Sequence, residues 1–305
     1  MTDPFKCIVY IFCHSDVSLP KLRFDIVTHV NYAFAIPTRT GHVLPLENPD
    51  LARAVIAKAH AGGAKVCLSL GGWSWEDVPL EATFREATDT PAKIAALTDE
   101  ICTMAEQFGF DGIDIDWEYP RTGDGTKEQY EAFITALHAR LKPQDRLLTA
   151  AVVGGVDAKN EPIRSAAEAQ DFPSFDKLDW INIMTYDCDS PKHSTYEYAE
   201  ACTKYWVNDR KFTPSKLTLG LPFYGRPFPG AYCDLLAADP DALEKDMVVL
   251  NGREVWYNGR DTLRKKVALA KRHGMSGVMV WEISEDSEDI EKSLLTVLGR
   301  AIEEF

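Results

Sequence analysis

Three carboxylic acids occupy alternate positions of one short apolar run, where they are well placed for acid–base chemistry. They are Asp114, Asp116 and Glu118. Because side chains alternate between the two faces of a β-strand, all three should point to the same side. The residues between them are apolar and suit a face packed on helices: Ile113, Ile115 and Trp117. Since burying three like charges is costly, the row indicates catalysis more than structure.

The crowding of this row predicts how its members hold protons. Carboxylates about 6 to 7 Å apart on one partly desolvated strand face cannot all be ionised at neutral pH. At least one should keep a proton, and a raised pKa on Glu118, the outermost member, would suit a general acid. Glu118 also precedes Pro120 at the carboxyl end of its strand, where barrel enzymes build their sites. A divalent-metal site, for Mg²⁺ for example, is the rival chemistry for such a row.

Large apolar groups, most of them aromatic, recur where the other predicted strands end. The apolar C–H faces of sugar rings stack on aromatic side chains, so this lining suits a carbohydrate better than a metal ion. The groups are Tyr32, Phe34, Trp73, Trp75, Met184, Tyr186, Phe223, Tyr224 and Trp281.

The elements that must position these side chains form a regular alternation. Short apolar, β-branched runs predict strands at residues 7–12, 27–34, 65–70, 112–117, 147–153, 180–186, 217–221 and 277–281. Helix-period segments lie between most of them, clearest at 50–61, 91–108, 127–141, 261–273 and 290–303. This alternation predicts an α/β fold, a parallel (β/α)₈ TIM barrel, as a single domain over residues 1–305. The widest gap, residues 226–259, is interpreted as an extended loop.

Composition limits the kinds of partner. Thirty-three basic and forty-seven acidic side chains give a formal charge of -14, which disfavours nucleic acid and anionic membranes and favours a neutral or cationic ligand. No apolar run reaches the roughly 18 to 20 residues that span a bilayer. We expect a monomer.

The cysteines and the N-terminus suggest a compartment. Seven cysteines form no CxxC pair and no zinc-ligand spacing, and because their number is odd we expect buried reduced thiols and not a disulfide framework. With Met1 as the native start, the chain is expected in the cytoplasm. If an export signal has been removed, an extracellular location is expected instead.

The run at residues 111–118 reads Asp-Gly-Ile-Asp-Ile-Asp-Trp-Glu and resembles the DxxDxDxE signature of glycoside hydrolase family 18, the chitinase family. Further segments similar to that family occur in the expected order, at residues 31–35, 69–73, 184–187, 224–226 and 281–282. The resemblance spans nearly the whole chain. It implies a (β/α)₈ barrel, here without the large α+β insertion of some members, because residues 226–259 are too few to form it.

The resemblance implies a substrate-assisted mechanism, in which the 2-acetamido oxygen of the substrate is the nucleophile. Glu118 would protonate the glycosidic oxygen, and Asp116 would orient the acetamide and stabilise the oxazolinium intermediate. Asp114, packed beneath, would share a proton with Asp116. Tyr186 would donate its hydroxyl to the acetamide, and Trp281 would form a floor under the distorted sugar. No metal or cofactor is implied.

Other residues are implied to line or support the cleft. Those expected to line it are Tyr10, Phe34, Trp73, Tyr119, Met184, Asp187, Tyr224 and Arg226. Those expected to support it are Ser69, Gly71, Gly72 and Asp111.

Two departures from the family pattern modify this picture. No Trp follows closely after Asp187, so the leaving-group side lacks an aromatic platform that some relatives have. The short segment at residues 226–259 implies a shallow, open cleft, which favours endo cutting of accessible chains.

Three functions remain open. An endo-acting chitinase-like hydrolase of β-1,4-linked N-acetylglucosamine is the first. An endo-β-N-acetylglucosaminidase acting on N-glycans or cell-wall fragments is the second, because those substrates carry the same 2-acetamido group. A non-catalytic chitin-binding lectin is the third; lectin-like members typically lack the acid, which is present here as Glu118.

Overall fold

The computed structural model describes residues 4–14, 19–228 and 230–305. Its strands are β1 (Lys6–Phe12), β2 (His29–Ala35), β3 (Lys65–Gly72), β4 (Ser74–Trp75), β5 (Val78–Pro79), β6 (Gly112–Trp117), β7 (Leu147–Val153), β8 (Trp180–Met184), β9 (Leu217–Pro222), β10 (Met247–Leu250), β11 (Arg253–Trp256) and β12 (Gly277–Trp281). Eight of them form a closed barrel in the order β1-β12-β9-β8-β7-β6-β3-β2, and every pairing within it is parallel. The remaining four form two small hairpins, β4–β5 and β10–β11.

Helices surround the barrel. They are α1 (Pro49–Ala61), α2 (Leu80–Ala87), α3 (Pro91–Phe108), α4 (Thr126–Leu141), α5 (Arg164–Ala167), α6 (Phe172–Phe175), α7 (Tyr196–Lys204), α8 (Tyr232–Ala238), α9 (Arg260–Arg272) and α10 (Leu294–Glu304). The predicted (β/α)₈ barrel is confirmed. Its strands are nearly continuous apolar runs because helices cover the outer face while side chains fill the interior. Within the described ranges, no helix combines the length and apolarity needed to cross a bilayer.

Local capping decides where several helices begin. Asn48 precedes α1 and its side chain accepts a hydrogen bond from Leu51 N at 3.2 Å, as an N-cap residue does. The predicted start of the last helix at residue 290 was wrong. Helix α10 begins at Leu294, because Ser293 caps it and the carboxylate of Asp286 accepts hydrogen bonds from the first backbone N–H groups.

The interpretation of residues 226–259 as an extended loop was also wrong. This segment contains α8 and the antiparallel hairpin β10–β11. Asn251 and Gly252 form its turn with φ of 52° and 77°, the left-handed conformation that two-residue hairpin turns require. The Asn-Gly pair between alternating residues was the signal that could have predicted the hairpin. Reciprocal backbone hydrogen bonds of 2.9 Å between Arg226 and Trp256 attach it to the segment after β9.

Candidate active site

The barrel strands bring the acidic row into the interior. Asp114 and Asp116 lie on β6 with 0% and 4% of their surface exposed, and Glu118 follows directly after the strand. In the neighbouring strands, Asp114 is in register with Ser69 of β3 and Thr149 of β7. The alternating residues Ile113, Ile115 and Trp117 are fully or almost fully buried on the opposite, helix-facing side.

Asp114 is the base of the row and is held by four donors. Its Oδ2 accepts hydrogen bonds from Tyr10 Oη at 2.6 Å and Ser69 Oγ at 2.9 Å. Its Oδ1 accepts from Thr149 Oγ1 at 2.6 Å and Asn182 Nδ2 at 3.3 Å. Burial raises the pKa of Asp114, while these donors oppose the rise by stabilising the carboxylate. Thr149 and Asn182 were not predicted from the sequence. Each is a polar residue at an inward-facing position of a predicted strand, and that pattern could have indicated them.

Asp116 lies one layer above Asp114, and its oxygen Oδ1 is buried with no hydrogen-bond partner in the described structure. Burial, together with the charges of Glu118 and Asp114, raises the pKa of Asp116 well above its usual range. Its barrel neighbour on β3 is Gly71, with φ of 119°, and a methyl group at Gly71 would lie 2.2 Å from the backbone oxygen of Asp116. A buried polar atom without a partner is costly, so Asp116 is prepared to bind a donor brought by a ligand.

Glu118 stands at the mouth of the row. Its Oε2 accepts a hydrogen bond from Tyr119 Oη at 2.8 Å. Burial and the negative charge of Asp187 raise the pKa of Glu118 to about 7, although the Tyr119 hydrogen bond lowers it. A carboxylic acid with such a pKa holds its proton at or below neutral pH and can deliver it to a bound group.

Tyr186 supplies a neutral hydroxyl beside the acids. Burial and the nearby charges, that of Asp116 first among them, raise the pKa of Tyr186 well above its usual range. Within the described residues, the hydroxyl lies 3.7 Å from the sulfur of Met279, a weak acceptor. The phenol therefore keeps its proton and can donate it to a stronger acceptor in the cleft.

Asp187 is at the centre of a polar cluster at the rim. It accepts hydrogen bonds from Tyr224 Oη and Arg226 Nε, both at 2.8 Å, and lies 3.1 Å from His193 Nδ1. Burial would raise the pKa of Asp187, but the bonds from His193 and Arg226 outweigh it and hold the pKa well below its usual range. Asp187 is therefore a fixed negative charge close to Glu118. His193, almost fully buried, was not singled out from the sequence.

Aromatic rings form one wall around Trp281. The ring of Phe34 stacks on Trp281 at 5.6 Å with an interplanar angle of 22°, and Tyr10 lies 5.4 Å from it. Trp73, which follows β3, also lines the cavity and is 62% exposed. Stacked and tilted rings at such distances are the expected packing of aromatic pairs, so Trp281 has a fixed orientation.

Nearly all the predicted residues border one cavity of about 650 Å³. Asp114 lies beneath the cavity and is outside its lining. The predicted residues that line it are Tyr10, Phe34, Trp73, Asp116, Glu118, Tyr119, Met184, Tyr186, Asp187, Tyr224, Arg226 and Trp281.

Three of the four expected supporting residues lie beside this lining, and Asp111 lies apart from it. Ser69 binds Asp114, and Gly71 and Gly72 both have positive φ. A methyl group at Gly72 would lie 2.8 Å from the Phe34 ring. Asp111 lies at the other end of β6, where its Oδ2 accepts a hydrogen bond from Val66 N at 2.7 Å and ties β6 to β3.

The cavity also has lining that was not predicted. Phe228, half exposed, stacks on Tyr224 at 5.3 Å and receives the Arg226 guanidinium at 3.7 Å from its ring centre. It provides an aromatic surface from the segment after β9, at a position that no strand-end pattern marks in the sequence. An apolar side of the cavity is formed by the β7 and β8 segments, through Val153, Val156, Ile163, Ala166 and Tyr198.

The sequence model of glycosyl hydrolases family 18 matches residues 6–286 of this chain. A chitinase-like effector of Moniliophthora roreri is 30% identical over 70% of this chain and 56% of its own length. A probable endochitinase of Caenorhabditis elegans is 28% identical over 73% of this chain and 44% of its own length. The chain thus spans about half the length of these relatives. A GH18 chitinase structure from Flavobacterium johnsoniae has a TM-score of 0.81 and 27% identity, covering 99% of this chain and 94% of that one.

Proposed function

This chain belongs to glycosyl hydrolases family 18, and from that premise we propose that it is a retaining hydrolase that cleaves β-1,4-linked N-acetylglucosamine at internal bonds. One observation carries the proposal. A partly buried acid with a pKa of about 7, Glu118, stands above Asp116, whose buried Oδ1 has no partner among the described residues. This pair offers a proton for a leaving group and an acceptor for an amide N–H.

In the first step, the proton of the Glu118 carboxyl moves to the glycosidic oxygen as the bond between that oxygen and the anomeric carbon breaks. The acetamide oxygen of the same sugar forms a bond to the anomeric carbon and gives an oxazolinium ion. Asp116 accepts a hydrogen bond from the acetamide N–H and stabilises the positive charge of the ion. Tyr186 donates its hydroxyl to the acetamide group and keeps the oxygen in line for attack.

In the second step, water attacks the anomeric carbon and passes a proton to the Glu118 carboxylate, which restores the acid. The carbon–oxygen bond to the acetamide breaks, and the product keeps the β configuration because two inversions have occurred. Asp114, held by its four donors, fixes the position of β6 beneath the reacting groups. Trp281 provides an apolar floor on which the distorted sugar ring can stack.

The test is product analysis with the wild-type protein. An N-acetylglucosamine hexamer and a glycoprotein carrying N-linked glycans are incubated side by side, and the anomeric form of fresh products is read by ¹H NMR. Release of β-anomeric dimers to tetramers from the hexamer supports the proposal. Release of glycans from the glycoprotein alone moves the substrate to N-glycans, and oligomer binding without cleavage over a day identifies a lectin or another binding role.

A further inference from the structure

A cysteine, a histidine and a glutamate meet at the rim of the barrel, apart from the acidic row. The sulfur of Cys13 lies 3.9 Å from Glu47 Oε2, and His14 Nε2 lies 2.5 Å from the same oxygen. The three side-chain atoms all lie within 4.8 Å of one another. We propose that Cys13, His14 and Glu47 bind a divalent cation of the Zn²⁺ type.

The donor set favours this class of ion. Thiolate sulfur, imidazole nitrogen and one carboxylate oxygen are the ligands that Zn²⁺ takes, whereas Mg²⁺ and Ca²⁺ prefer oxygen alone. Tetrahedral zinc bond lengths place such ligand atoms about 3.2 to 3.6 Å from one another. The sulfur–oxygen distance need only contract by a few tenths of an ångström, and the His14–Glu47 distance need only open by less than about 1 Å. Water would complete the four ligands.

The fold fixes the two segments that carry the ligands. Cys13 N donates to Ala33 O at 2.7 Å, which continues the β1–β2 pairing. Asn48, next to Glu47, donates from Nδ2 to Cys13 O at 3.4 Å and also caps α1. Tyr32 Oη donates to Asn48 O at 2.8 Å. Because these bonds hold the backbones in place, binding requires mainly side-chain adjustment.

Binding changes the bonding of the Cys13 sulfur. Its contact with Glu47 is replaced by a metal–sulfur bond, and the thiol proton is released to solvent. His14, which is partly exposed, provides the route of entry from solvent.

The site has a structural link to the cleft. The His14 imidazole stacks on Trp75 at 5.5 Å and 28°, and it contacts the edge of Phe12 at 5.0 Å. Phe12 in turn lies 6.3 Å from Trp281. A cation bound to His14 would fix this row of rings at the rim. Since the ligands come from two segments 34 residues apart, spacing within the cysteine pattern could not indicate the site.

The experiment uses tag-free protein, zinc titration by calorimetry and Co²⁺ as an optical probe. The proposal predicts one zinc per chain and, with Co²⁺, an absorption band from cobalt–thiolate charge transfer. Cys13→Ser should remove this band and weaken zinc binding by about tenfold or more, with a similar loss for His14→Gln. His14 is partly exposed, so its variant keeps the test available if Cys13→Ser fails to fold.

The matched control is His42→Gln. His42 also pairs with a glutamate, Glu100, on an exposed surface, but no cysteine joins them among the described metal-ligand groups. The His42→Gln substitution should leave the zinc affinity and the cobalt band unchanged. Absence of stoichiometric zinc binding, or equal losses in the control and the Cys13 variant, would overturn the proposal. Neither result depends on whether the chain hydrolyses a sugar polymer.

Discussion

The phenol of Tyr119 donates a hydrogen bond of 2.8 Å to Oε2 of Glu118, the residue before it in the chain. A donor to a carboxylate favours the charged form and lowers the pKa. Here it works against burial and against the negative charge of Asp187, which together raise the pKa of Glu118 to about 7. Tyr119 therefore limits how far the proposed acid retains its proton as the pH rises.

Removing that hydroxyl should move the alkaline limb of activity to higher pH. In the proposed mechanism Glu118 must be protonated, so activity should be present below the pKa of Glu118 and fall as the pH rises through about 7. Tyr119→Phe removes a hydrogen bond that lowers the pKa of Glu118. We therefore expect the fall in kcat/KM with rising pH to occur about one pH unit higher than in the wild type. Tyr130→Phe is the matched control, because its buried hydroxyl has no partner among the described residues. An unmoved limb, or one moved to lower pH, would contradict this explanation.

Asp114 should matter for stability as well as for activity. In Asp114→Asn, an N–H₂ group replaces one of the two carboxylate oxygens. It would face two hydrogen-bond donors, either those of Tyr10 and Ser69 or those of Thr149 and Asn182. We expect the free energy of unfolding to fall by about 1 to 3 kcal/mol and turnover to be largely lost. Chemical denaturation and rate measurements check both. Unchanged stability would show that the four donors do not require a charged acceptor.

Gly71 should tolerate no side chain. Its φ of 119° is unfavourable for an L-residue, and an added methyl group would also lie 2.2 Å from Asp116 O. Gly63 is the control for backbone strain without a steric clash, since it has φ of 78° and no heavy atom within 4 Å of an added methyl group. Gly63→Ala should cost about 1 kcal/mol and spare activity, whereas Gly71→Ala should cost about 1 to 3 kcal/mol more and reduce turnover. Equal effects in the two variants would argue against close packing at Gly71.

Trp73 should contribute to substrate binding and little to stability. Its side chain is 62% exposed at the cavity edge, so few protein contacts are lost in Trp73→Ala. We expect KM for N-acetylglucosamine oligomers to rise by about tenfold with an unchanged melting temperature. Phe305→Ala removes another exposed aromatic residue, outside the cavity lining, and should leave KM unchanged. A lowered melting temperature with an unchanged KM would assign Trp73 to the fold instead.

Much of this architecture could be predicted from the sequence, because strand periodicity and the acidic row are local patterns. The eight strands were predicted within two residues at either end, and the alternation of Ile113, Ile115 and Trp117 with the acids fixed the direction of each side chain. The hairpin β10–β11 was missed although its Asn-Gly turn was visible.

Contacts between distant segments could not be predicted in the same way. Asn182 reaches Asp114 across 68 residues, and Glu47 reaches Cys13 across 34. Such contacts depend on strand register and on loop paths, which a single sequence does not encode as a local pattern. The contact between His193 and Asp187 could not be predicted for the same reason, because the turn after β8 sets the position of His193.

The central claim is that Glu118 is the proton donor, and the most direct measurement compares Glu118→Gln with the wild type on an N-acetylglucosamine tetramer. Glutamine keeps the shape of the side chain but has no acidic proton, so turnover should fall by about 10³-fold or more. Calorimetry should show the tetramer still binding, with an affinity within about threefold of the wild-type value. A Glu118→Gln protein that cleaves the tetramer at close to the wild-type rate would contradict the claim.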